Sequence, residues 1–169
     1  MEEPIETRAE SPEKAIQALF GEKVSVTGRR PIGGGCINKA AELTLSDGRK
    51  LFQKENSARF KDMFQREAEG LLALRVEGGP TVPRPLAHHC GGQSQFILME
   101  YLASAPRKKT FWDEFGHGLA ALHLKKTDGA PGFSSDNFIG ATLQINTREK
   151  TWIDFFAKHR LLSQAQLAY

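Results

Sequence analysis

The residues whose types and order can do chemistry are Gly33-Gly34-Gly35-Cys36-Ile37-Asn38, Lys54 and Glu67. A glycine-rich turn between two strands lets backbone N–H groups approach an anion, because no Cβ holds it off. A lysine on the next strand but one can reach the same anion as a point charge. Glu67 falls about two turns into the following helical pattern, on the face that looks inward. Burying a lone carboxylate is costly, so Glu67 needs a cation, and Lys54 is the natural candidate. Together these residues form a phosphate-handling set. The glycines alone equally describe an ordinary tight turn. Against the pattern G-x-G-x-x-G-x-V, Gly33 and Gly35 fit, Asn38 stands at the third glycine and Ala40 at the valine. Lys50 shares a strand face with Lys54, nearer the hairpin, and is the alternative lysine.

Other reactive side chains point less far. Cys36 is either a small residue in a tight loop or a reactive thiol, since a nest of N–H groups lowers a thiol pKa. Cys90, at a hairpin, has no obvious positive field. His88 and His89 are adjacent on a strand and face opposite sides, which does not suit a tetrahedral metal site. His117 and His123 read as packed or surface helix residues. Arg107-Lys108-Lys109 reads as a solvated connector.

The elements that must position the set follow from periodicity. Residues 1–10 are charged and expected to fray. Ser11 and Pro12 open a short helix with Ile16, Leu19 and Phe20 as its stripe, and Gly21 closes it. Val24 to Ile32 is a strand leading into the glycines. Ala41, Leu43 and Leu45 alternate with Glu42 and Thr44 as a half-buried strand, with Glu42 on the wet side. Asp47-Gly48 is a hairpin turn, and residues 51–55 return. A helix over 59–77 places Phe64, Glu67, Ala68, Leu71 and Leu74 on one broad face, with Glu69 turned away. Residues 86–89 and 95–100 are two further strands. The apolar run from Phe96 to Leu102 then turns polar, as a buried strand does where it leaves a sheet for a connector. Thr110 caps a helix carrying Phe111, Phe115, Leu119 and Leu122. Residues 127–150 read as a long loop. Thr151 caps a last helix with Trp152, Phe155, Phe156 and Leu162 on its apolar side.

Composition sets the class. The chain has 169 residues, 40% hydrophobic and 25% charged, with net charge +3. That is a folded chain, too weakly basic to argue for nucleic acid. Two cysteines make no disulfide framework and suit a reducing compartment. An acidic start without an apolar core reads as no signal peptide, and no apolar run approaches a membrane span.

With Lys54, Glu67 and the Met99-Glu100-Tyr101 connector added, the glycine turn matches the phosphate-handling parts of a protein-kinase-like N-lobe. The residues further resemble the fructosamine/ketosamine-3-kinases, relatives of aminoglycoside and choline kinases. The carriers are Gly33 to Asn38, Leu51-Phe52-Gln53-Lys54, Met63-Phe64 with Glu67, Val82 to Pro85, and Met99 to Tyr101. They continue through Leu119 to His123, Gly132-Phe133, Asp136 to Gly140, Gln144 with Asn146, and Trp152 to Leu161. The resemblance implies an α+β fold. An N-lobe over 11–102, with an antiparallel sheet and an αC-type helix, precedes a connector and the first helices of an incomplete helical C-lobe over 103–169.

The resemblance also implies transfer of the γ-phosphoryl of ATP, with Mg²⁺, to the 3-hydroxyl of ketosamines on protein lysines or small amines, in protein deglycation. By it, Lys54 holds the ATP phosphates and Glu67 pairs with Lys54. Gly33, Gly34, Gly35, Cys36, Ile37 and Asn38 cover the phosphates, and Met99, Glu100 and Tyr101 contact adenine through the backbone. Cys36 matches a loop cysteine linked to redox control, so a redox-linked dimer is expected. The setting implied is cytoplasmic, without nucleic acid or membrane. The family's His-Gly-Asp-Leu-Trp segment and its metal-binding Asp are expected downstream of residue 169, so the chain holds no metal ligands. The alternatives are an aminoglycoside- or choline-type kinase and a non-catalytic nucleotide-binding fragment. The segment from about residue 127 onward is expected to be labile and to self-associate through its exposed aromatics.

Overall fold

Local chemistry starts the first element. In the computed structural model, which describes residues 5–6, 9–34, 37–57, 59–91, 94–127 and 129–169, Ser11 accepts a hydrogen bond from the Lys14 amide and Pro12 opens α1 (Pro12–Phe20). Gly21, at φ +106°, ends it. Contacts divide the chain into two compact units, Met1–His123 and Leu124–Tyr169.

The first unit holds a six-stranded sheet of β1 (Ile5–Glu6), β2 (Val26–Ile32), β3 (Lys39–Leu45), β4 (Lys50–Ser57), β5 (Pro85–Gly91) and β6 (Ser94–Glu100). The strand order is β1-β5-β6-β4-β3-β2, and every pair except the parallel β1–β5 is antiparallel. The expectation that residues 1–10 fray is corrected at Ile5–Glu6, which pairs with Ala87 and His88. The outer edge of β5 offers backbone groups to any strand, and two residues are too few to show a period. Asp47 accepts the Arg49 amide at 3.1 Å and Gly48 takes φ +85°, so the β3–β4 turn is built by the two residues that signalled it.

Alternation gives this sheet two apolar faces. One packs under α1, where Leu43, Leu45, Leu51 and Leu98 meet Ala15 and Ile16. The other packs under α2 (Met63–Leu74), where Phe64 and Ala68 meet Ile97 and Met99. The helix is shorter than the expected 59–77. It starts only after Asp62, which sits in the left-handed region at φ 59°. Leu74, expected inward, is exposed, because the cluster under the helix stops at Leu71. Glu42, expected on the wet side, is buried.

α3 (Phe111–Leu124) carries its expected aromatic stripe largely exposed and buries Gly118. A Cβ there would lie 3.1 Å from the Pro80 nitrogen, so any side chain at this position would press the Gly79-Pro80 turn back by a few tenths of an ångström. Through His123 this helix belongs to the first unit, whereas the expectation grouped it with the later segment. Arg107, expected in a bare solvated run, lies over Trp112 at 5.2 Å and Phe111 at 5.6 Å, aromatic neighbours supplied by the next helical turn.

In the second unit, the expected loop over 127–150 contains a hairpin of β7 (Asn137–Ile139) and β8 (Thr142–Gln144). Three-residue strands are too short for alternation to be legible. α4 (Trp152–Phe156), capped by Thr151, runs through a π-helical stretch, Ala157–Leu162, into α5 (Ser163–Ala168). Of the four residues expected on its apolar side only Phe155 is buried, flanked by Trp152, His159 and the Arg160 guanidinium. Arg160 donates to the carbonyls of Ile145 and His159 and to Asn146 Oδ1, tying the hairpin to the π-helical stretch. Among the described residues no helix is long and apolar enough to cross a membrane.

Gly132 is closely enclosed within this unit. It sits at φ +128°, and a Cβ would stand 2.8 Å from the Asn146 carbonyl oxygen. Gly132→Ala is expected to destabilise the unit by about 1–3 kcal/mol. Hydrogen exchange should speed up at the β7–β8 amides and not at β3. Unchanged β7–β8 protection would mean that the backbone of residues 146–148 yields freely.

Candidate functional site

Glu67 reaches the sheet because Phe64 and Ala68 bury their side of α2 and carry the residue between them inward. Lys54 points at it from β4, whose register sets Lys54 between Ala40 and Ile97. The Lys54 Nζ lies 2.5 Å from Glu67 Oε1. The lysine and glutamate side chains keep 31% and 23% of their exposure, so the pair is sheltered and still open to a ligand.

Lys54 lines a cavity of about 380 Å³ together with Gly33, Gly34, Ile37, Asn38 and Phe52. Ile32 and Ala40 complete its apolar side. Gly34 takes φ +107°, and nothing lies within 4 Å of where its Cβ would be. The turn therefore needs glycine for its backbone and leaves open space in front of it. Asn38, at the position of the missing third glycine, uses its side chain otherwise: Oδ1 accepts from Asn56 Nδ2 at 2.7 Å, pinning the exit of the turn to the end of β4. Gly35 and Cys36 lie outside the described residues, and with them the redox role and the linked dimer. A second cavity of the same volume, bounded by Arg29, Gln53 and Glu55, has neither the lysine nor the glycines.

The connector residues divide by face. Met99 is buried in the cluster under α2. The Glu100 amide donates to the Arg84 carbonyl, and its carboxylate accepts from the Arg84 amide at 3.0 Å and Nε at 3.2 Å. Glu100 thus binds the connector to the chain before β5 and has no free amide for a base. Tyr101 lies on the cavity side, its hydroxyl 3.2 Å from Arg30.

Sequence reasoning missed the group around Tyr101. Glu42 accepts from Lys50 Nζ at 2.7 Å and from the Arg30 guanidinium. Hydrogen bonds from Lys50, then Arg30, outweigh burial and lower the Glu42 carboxyl from 4.5 to about 2, with the Tyr101 hydroxyl adding to them. Glu42 in turn raises Arg30, with Tyr101 adding to it. Lys50, the alternative lysine, is therefore engaged away from Glu67. The signal was available in the Asp47-Gly48 turn, which sets Thr44 opposite Lys50 and so brings Glu42 diagonal to it. Among the described residues no group of three or more His, Cys, Asp or Glu is arranged to hold a metal ion. The described residues therefore offer no ligand set for the Mg²⁺ that the resemblance implies.

Chemically, the arrangement offers one held cation beneath a glycine turn, with an apolar wall beside it, as a polyphosphate joined to a flat base requires. The family model for fructosamine kinase matches residues 9–169. The chain is 39% identical over 154 residues to the "Probable ketoamine kinase" of Synechocystis sp., covering 90% of this chain and 52% of that protein. It is 38% identical over 151 residues to the chloroplastic "Protein-ribulosamine 3-kinase" of Oryza sativa subsp. japonica, covering 87% and 43%. The fold matches the crystal structure of the "Putative fructosamine-3-kinase" of Haemophilus somnus with a TM-score of 0.84 at 23% identity, over 94% of this chain and 53% of that one. The chain spans about half the length of the curated relatives it matches.

Proposed function

The chain belongs to the fructosamine kinase family, and on that premise we propose that it carries the nucleotide-handling part of an ATP-dependent ketosamine 3-kinase. The single observation that supports this most is that Lys54, which lines the glycine-turn cavity, is held 2.5 Å from Glu67. Glu67 holds the ammonium in place, and Lys54 binds phosphate oxygens as a point charge. The amides of the glycine turn approach the same phosphates. Ile32, Ala40 and Phe52 face the base, and the connector from Met99 to Tyr101 borders it. Phosphoryl transfer depends on such positioning and electrostatic stabilisation more than on covalent chemistry by the protein. The acceptor is the 3-hydroxyl of a sugar adduct on a lysine amine, a substrate class carried by the ketoamine and ribulosamine kinase relatives. The setting is a reducing compartment such as the cytoplasm, consistent with two cysteines.

Titration calorimetry of the chain with ATP is expected to give one saturable site. An intact close relative supplied with ATP should phosphorylate ribulosamine- or fructosamine-lysine rather than an aminoglycoside or choline. Absence of ATP binding removes the site reading, and transfer only to aminoglycoside or choline removes the ketosamine.

A further inference from the structure

We propose that Tyr101 is a positioning residue for the nucleotide, held by Arg30 over the buried Glu42 so that the connector stands at a fixed distance from the cavity. The inference rests on the nucleotide reading of that cavity.

Arg30 and Ile32 of β2, Ala40 and Glu42 of β3, and Lys50, Phe52 and Lys54 of β4 share one face of the sheet. Ile32 pairs with Ala40, and Arg30 pairs with Glu42. The charged row therefore lies one step of two residues, about 7 Å, along the strands from the apolar row that lines the cavity. Glu42 is 4% exposed. A buried carboxylate is costly to leave unpaired, so it retains both its cations. Arg30, so anchored, also bonds the Tyr101 hydroxyl, and the Lys50 ammonium sits 5.7 Å from the centre of the Tyr101 ring.

Tyr101 is the first residue beyond β6, and no regular structure follows until α3. The connector is thus clamped at its root from two sides. Glu100 grips Arg84 on one face of the sheet, and Tyr101 grips Arg30 on the cavity face. None of Arg30, Glu42, Lys50 or Tyr101 belongs to either apolar cluster. Removing the Tyr101 hydroxyl takes away no core contact, and its effect falls on the edge of the base slot.

Calorimetric titration of the full 169-residue chain with ATP, adenosine and tripolyphosphate separates the roles. Tyr101→Phe should weaken ATP and adenosine by the same factor, about threefold to tenfold, and leave tripolyphosphate and the melting temperature unchanged. Glu42→Gln should give the same pattern of ligand affinities with a lower melting temperature, because it removes the buried partner of two cations. The double variant should bind no more weakly than the worse single one, since the two act as one unit. Lys54→Met should weaken ATP and tripolyphosphate and spare adenosine. If Lys54→Met behaves so while Tyr101→Phe binds all three as the wild type does, the positioning role is wrong and the site reading stands. Equal loss of tripolyphosphate in Tyr101→Phe, or additive losses in the double variant, also overturns it. A wild-type chain that binds none of the three overturns both.

Discussion

Lys54→Met is expected to lower ATP affinity by about tenfold to a hundredfold, the range for losing hydrogen bonds to a charged group, with little change in melting temperature. The reason for the first effect is position. The Lys54 ammonium is held at 2.5 Å from Glu67 and faces the cavity under Gly33 and Gly34. Methionine fills much of the same volume without the charge, leaving the phosphates only backbone dipoles. The second effect follows from exposure. Glu67 keeps 23% of its side-chain exposure, so water can solvate its carboxylate once the lysine is gone, and no fully buried charge is stranded. In an intact relative the same change should abolish turnover. Lys50→Met is the control with tripolyphosphate as the ligand, because Lys50 is bound to Glu42 on the neighbouring row. Normal ATP binding by Lys54→Met, with loss of tripolyphosphate in Lys50→Met, would assign the phosphate role to the wrong lysine.

Phe64→Ala should cost about 3–5 kcal/mol of stability, a large share of the roughly 5–15 kcal/mol that holds a domain together. Phe64 is fully buried, packed with Ala68, Ile97 and Met99 and flanked by Phe52, Leu71 and Cys90. It is the largest fully buried side chain joining α2 to the sheet, so its truncation leaves a cavity in the middle of this cluster. The consequence extends to the site. Phe64 stands one turn before Glu67, and with the helix loosened Glu67 no longer fixes Lys54. Chemical denaturation should show the stability loss, and ATP titration under folding conditions should show weakened binding. A loss below about 1 kcal/mol would mean that the site collapses around the alanine. A large loss with unchanged ATP affinity would separate the helix from the lysine.

Much of this molecule was legible before its structure. Ser11-Pro12, Asp47-Gly48 and Thr151 act through neighbours one to three residues away, so each terminus or turn followed from local chemistry. Alternation in β3 and helical spacing around Phe64 placed Leu43 and Phe64 in cores, because burial of apolar area needs no knowledge of the partner. The Lys54–Glu67 pair was legible because an inward carboxylate demands a cation and the preceding strand presents one.

What only the tertiary structure decided depends on register and on contact between distant segments. Glu42 read as solvated, since alternation reports which face a residue takes and not what covers that face. Arg30, Lys50 and Tyr101 cover it from three other positions in the chain. Ile5–Glu6 found an edge some eighty residues away, and the β7–β8 hairpin is too short to announce itself. Gly118 owes its burial to the turn at Pro80, a contact that helical spacing does not contain. The sequence by itself determined the main strands and helices of the first unit and the Lys54–Glu67 ion pair, through interactions within one element or its neighbour. Tertiary structure decided the buried charge beside them and the clamp on Tyr101, because Coulomb attraction and burial act on distance in space, which spacing along the chain does not contain.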